Sequence, residues 1–211
     1  METYDDFDDS NWQSLKESLV QSNIRYQELL EEKQFFEAVA AAESLESVLH
    51  LIMEFLEKRW GFEFFTVQLV HESGKKLCYY SSYNLPMDDP DVLVAVTRDL
   101  MLDCKESVST YVAHTQRIFY AADVNADTVN NISEIDKRAL RALNIRDNLI
   151  LPVIYEEKTI GVIHLFTNSR TLSLNAGQIS LIQQFVHSLA KVIAVEKSKE
   201  DLERLQEKHE K

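Results

Sequence analysis

The sequence predicts an α+β domain: one antiparallel sheet with helices packed on one face, extended at both ends by long helices. Three observations predict it. Period-two alternation is confined to the middle of the chain, apolar spacings of three and four occupy both ends, and only 4 Gly and 3 Pro interrupt 211 residues.

From Trp12 to Phe36 a seam runs through Trp12, Leu15, Leu19, Ser22, Tyr26, Leu29, Lys33 and Phe36. This heptad-like spacing predicts a helix that needs a partner, either the domain surface or a second copy. A second helix spans Ser44 to Trp60, with Leu45, Val48, Leu49, Ile52, Leu56 and Trp60 on one face and Gly61 as its stop. Phe64–Val70 alternates as a strand, with Thr66 and Gln68 on one side. Ser73-Gly74 turns it back into Leu77–Tyr83. Pro86 to Pro90 reads as a loop and Asp91 to Asp103 as a helix. Ser133, with Asp136 three residues on, caps a short helix. Leu149–Tyr155 and Thr159–Thr167 form a hairpin across Glu156-Glu157-Lys158. Asn175 caps a last helix whose apolar face runs through Ile179, Ile182, Phe185, Leu189, Val192 and Ile193, and which is charged beyond Val195.

Net charge is −13, with acidic residues crowded into residues 1–10. That excludes the basic footprint nucleic acid requires and disfavours an anionic membrane. No apolar run is long enough to span a bilayer. Cys78 and Cys104 sit in no paired motif, so neither a disulfide framework nor a zinc site is expected, and a cytoplasmic setting fits.

Ser107, Val108, Val112, Ala113, Thr115, Tyr120, Asp123 and Val124 lie within the stretch from Lys105 to Asp127. This run, with the Gly161-Val162 strand in Leu149–Phe166, resembles the GAF domain, a small-molecule sensing module of signalling proteins. The resemblance covers residues 36–197. It implies a pocket on the sheet face opposite the terminal helices. Residues 1–35 then form an acidic segment and dimerisation helix, and 198–211 begin a signalling helix or linker.

The resemblance also implies ligand contacts. The early-strand hydroxyl falls on Thr66, with Gln68 on the same face. The hairpin position falls on Tyr80 or Ser81. The backbone contacts fall on Val108 and Ser109, with Thr110 beside them, and the late-strand polar residue on His164. Asn148 is a candidate base reader or an edge residue; His164 is a ligand contact or a satisfied core histidine. Tyr79, Tyr80 and Tyr83 could stack on a ring or simply pack. Asp123 and Asn125 are expected to hold a turn after Tyr120.

The first ligand the resemblance implies is a cyclic nucleotide such as cAMP, bound without other cofactor or metal. Against this, the Asn-Lys and Phe-x-x-x-Asp-Glu elements of phosphodiesterase-type members fall on Thr167-Asn168 or Asn168-Ser169 and on Leu172 with Ala176-Gly177, and are absent. The chain is read as a non-enzymatic regulatory piece that forms a homodimer through its terminal helices. An output domain beyond Lys211, such as an adenylate cyclase, would receive the signal. The alternatives are a dimerisation scaffold with a degenerate pocket and a free methionine sulfoxide reductase, which needs several pocket cysteines.

Overall fold

The computed structural model describes residues 9–102, 107–124 and 133–209. The chain divides into two compact units, residues 1–43 and 44–211. The first contains one helix, α1 (Asp9–Ala40). Trp12, Leu15, Leu19, Tyr26, Leu29 and Phe36, the apolar positions of its seam, are all exposed.

The second unit holds α2 (Leu45–Trp60), β1 (Phe64–Val70), β2 (Lys76–Tyr83), α3 (Pro90–Thr97), β3 (Leu100–Met101), α4 (Val108–Thr115), β4 (Phe119–Ala121), α5 (Glu134–Leu143), β5 (Asp147–Tyr155), β6 (Lys158–Thr167) and α6 (Ala176–His209). The six strands form one sheet in the order β3-β2-β1-β6-β5-β4. Every pairing is antiparallel.

The helix ends follow the chemistry of their caps. Ser44 accepts from the N–H of Ser47 at the start of α2, and Gly61 ends that helix with φ +79°. A Cβ on Gly61 would also collide with the Arg170 guanidinium. The Ser133 hydroxyl accepts from the N–H of Asp136 in α5. Asn175 and Gln178 exchange hydrogen bonds as a capping box at the start of α6.

One face of the sheet is closed by α2 and α6. Leu45, Leu49, Ile52 and Leu56 of α2 and Ile182, Leu189 and Ile193 of α6 are buried. Phe55 stacks on Phe185 with ring centroids 4.8 Å apart. The charged end of α6 stays attached to the sheet, because Lys197 Nζ donates to the Val70 carbonyl and Tyr80 Oη donates to Glu200. Gly161 lets β6 approach β1; a Cβ there would lie 2.6 Å from the Gln68 carbonyl oxygen.

The Asp91–Asp103 helix is overturned in part. The helix ends at Thr97, and Leu100 and Met101 pair with Leu77 and Lys76 as β3. Arg98 turns extended just past the helix, with ψ 143°, and the open edge of β2 takes up Leu100 and Met101. Asp103 lies outside the described residues, as do Cys104 and Asn125.

The β5–β6 turn has only two residues, since Tyr155 pairs directly with Lys158. Glu156 and Glu157 both take positive φ, 47° and 65°, the conformation Asn-Gly favours in such turns. Replacing the pair by Glu156→Asn with Glu157→Gly should raise stability by about 1 kcal/mol, read as a higher urea midpoint at unchanged slope.

Candidate ligand site

The other face of the sheet is roofed by α3, α4 and α5. Two apolar clusters fill most of this space. Leu77, Leu100, Val112, Ala113, Ile150 and Val162 form one, and Val92, Leu143, Ile145 and Phe166 the other. Between them lies a cavity of about 110 Å³.

Its polar floor follows from strand register. Thr66 of β1 pairs with His164 of β6, which pairs with Ile150 of β5. Gln68 pairs with Val162, and Asn148 with Phe166 on one side and Ala121 on the other. Thr66, Gln68, Asn148 and His164 therefore share the roofed face, and all four line the cavity. Val108 and Ser109, at the start of α4, line it as well.

His164 lies deep in the protein, yet keeps some open surface, which faces the cavity. Its Nε2 is 2.8 Å from Ser109 Oγ, joining β6 to α4. Burial lowers its pKa from 6.5 to about 4, so the ring is neutral at pH 7.

Gln68 and Asn148 are more than nine-tenths buried, and Gln68 Oε1 and Asn148 Oδ1 have no hydrogen-bond partner among the described residues. An unmatched buried amide oxygen costs about 1–3 kcal/mol, which a bound molecule or water would offset.

The roof carries a charged clasp. The Arg98 guanidinium, just past α3, donates to both oxygens of Asp136 at 2.9 and 2.8 Å and to Ser133 Oγ at 2.9 Å. Burial outweighs this attraction, so the Asp136 carboxyl sits above its ordinary pKa. Asp136 lines the cavity, a role hidden in the sequence behind its place in a helix cap.

Three expected contacts lie elsewhere. Tyr80 and Ser81 do not line the cavity. A register shift opposite Val67 and Gln68 leaves Tyr80 as the extra residue, and Ser81 pairs with Val67 on the helix-covered face. Tyr80 accordingly reaches Glu200 of α6. Thr110 is buried and donates from Oγ1 to the Ser107 carbonyl, inside its own helix turn. Tyr83 also turns to the helices, donating to Glu57 of α2. Asp123 shapes the chain after β4: φ is +50°, and its carboxylate accepts from Arg146 at 3.2 Å.

The GAF domain family matches residues 42–194. The chain belongs to the GAF family, small-molecule sensing regulatory modules of signal transduction. No curated protein matches it in sequence. Among solved structures it is similar to the GAF domain of a phosphoenolpyruvate-protein phosphotransferase from Acinetobacter, at 15% identity and TM-score 0.61, over 80% of this chain and 94% of that one. It is also similar to the GAF domain of a two-component sensor histidine kinase from Bacillus halodurans, at 16% identity and TM-score 0.59, over 75% and 99%. A methyl-accepting chemotaxis protein segment, residues 122 to 287, shares 20% identity at TM-score 0.59, over 76% and 94%. At these identities the likeness is one of fold.

Among the described residues no cysteine lines the GAF cavity and no cluster of His, Cys, Asp or Glu could hold a metal. Cys78, on β2, has its thiol pKa raised by burial and by Asp99, which makes it a poor nucleophile. No described helix is long and apolar enough to cross a membrane.

The depressed His164 pKa has a definite sign in stability. The unfolded chain takes up the proton first, so this stabilisation is full above about pH 6.5 and is lost towards the folded pKa of about 4. Urea unfolding should therefore show a loss of up to about 3 kcal/mol across that window, on top of carboxylate effects. In His164→Leu the loss should shrink by that amount, whatever the variant's stability at neutral pH.

Proposed function

We propose that this GAF domain binds a small molecule in the roofed cavity and passes the change along α6. The carrying observation is the cavity itself: it is lined by two nearly buried amide side chains whose oxygens have no partner among the described residues. A pocket that serves only as packing would be filled by its own side chains, so the scaffold reading is the weaker one. Any chemistry belongs to an output domain joined to this chain, with adenylate cyclase as the first candidate.

A cyclic nucleotide such as cAMP is the second reading. In its favour, Gln68 and Asn148 could meet the edge of a base, and the start of α4, at Val108 and Ser109, lines the same cavity. It would need the roof to open, because about 110 Å³ is well below the roughly 300 Å³ of typical drug-sized sites. Thermal unfolding with cAMP, cGMP, ATP and GTP tests this. A saturable rise with cAMP alone, lost in Thr66→Ala and His164→Ala, would establish it.

Dimerisation through α1 completes the proposal. The exposed seam of α1 has the three-and-four spacing that lets two helices supercoil, and a second copy presents the matching seam. Sedimentation of the full chain should give a dimer. Leu19→Glu with Tyr26→Glu should shift it to monomer while the near-UV spectrum of the sheet domain stays unchanged.

A further inference from the structure

We infer that the cavity selects an uncharged molecule with an apolar body and a hydrogen-bond donor for Gln68 or Asn148. The inference rests on the sensor reading and narrows its ligand class.

Charge is the first argument. Among the described lining residues there is no Lys or Arg, so an anion meets no countercharge. Among the described lining residues Asp136 is the one carboxylate, and Arg98 and Ser133 already occupy it, so a cation gains little either. The remaining ionisable group, His164, is held neutral by burial. A charged ligand would exchange water for a space whose described side chains offer no free countercharge, leaving an anion only the partial charge at the start of α4.

The second argument is the placement of the unmatched acceptors. Gln68 projects from β1 and Asn148 from β5, with β6 between them. The flanking strands lie about 9–10 Å apart, and Gln68 is level with Val162 while Asn148 is level with Phe166, about 13 Å further along β6, so the two side chains start about 16 Å apart. The two oxygens therefore mark opposite sides of the cavity floor rather than one shared point. Between them the surface is apolar or neutral: Phe166 and His164 below, Leu140 and Leu143 above, Val108 and Phe119 at the side. A flat ring is too short to bridge that separation, so a small ligand meets one of the two amides and lies against the apolar surface between them.

A matched pair of probes separates charge from shape. 4-Hydroxybenzamide is neutral, with a phenol O–H and an amide N–H₂ at opposite ends; 4-hydroxybenzoate has nearly the same outline and a negative charge. Ligand-observed NMR titrations of both, and of cAMP, would use the full chain, Gln68→Leu and Asn148→Leu. The two variants replace an unmatched amide with an apolar group of similar size, so they should fold and melt at or above the parent temperature.

The expected result is that the benzamide binds the parent at least about tenfold more tightly than the benzoate, and that one of the two Leu variants weakens it by about tenfold. Equal or tighter binding of the benzoate or of cAMP, sensitive to the same variants, would overturn the uncharged class and leave the sensor reading standing. Binding of none of the three would mean the amides are met by water alone, and would overturn both.

Discussion

The buried carboxylate of Asp147 is the constraint on which the rest of the domain depends. It is fully buried and accepts from the Tyr120 hydroxyl at 3.0 Å, the Leu172 N–H at 2.7 Å and the Asp123 N–H at 3.3 Å. Its own N–H donates to Thr167 Oγ1. The Tyr120 hydroxyl in turn accepts from the Leu174 N–H. Burial and the neighbouring Asp147 raise the Tyr120 pKa, which keeps that phenol a donor. One carboxylate thus joins β4, the bend after it, β5, β6 and the segment entering α6. A buried charge is tolerated only when its lone pairs are met, and here they are met by groups far apart in sequence.

This knot sits where the two faces of the sheet communicate. On the roofed side, Ala121 and Val124, on either side of Asp123, line the cavity. On the other side, Leu172 and Leu174 lead directly into α6. The helix-covered face is closed by close-packed aliphatic and aromatic side chains, whereas the roofed face keeps four polar side chains in its floor. That asymmetry is what a binding module needs: a rigid side to carry the output and a side left incomplete for a ligand. The Arg98–Asp136 clasp and the Ser109–His164 bond hold the roof over that gap, and both can be broken and remade without disturbing the closed face.

Much of this was legible in the sequence because it rests on local chemistry. Alternation placed Thr66 and Gln68 on one face, Ser44, Ser133 and Asn175 announced their helices, and Gly61 and Gly161 mark a cap and a close strand approach. What stayed hidden depends on long-range pairing. The extra residue at Tyr80 changes which face the rest of β2 presents, and no feature of Leu77–Tyr83 signals it, because the bulge is set by how β1 and β2 align. Leu100 and Met101 look like the end of a helix until β2 supplies an edge. The motif residues Tyr120 and Asp123 suggested a turn, but not that they are tied to Asp147. Nor could spacing alone show that the amides of Gln68 and Asn148 would be left without partners.

The length of α6 and the place where it is tied down decide how far its two ends could move. With 34 residues at 1.5 Å each it measures about 50 Å, and its base is held by the segment that the Asp147 knot secures. Lys197 and Glu200, bonded to β1 and β2 part-way along, act as a fulcrum. Beyond that fulcrum the charged arm is the shorter one, about 15 Å against about 35 Å back to the base, so a tilt there would move the tip only about half as far as the base.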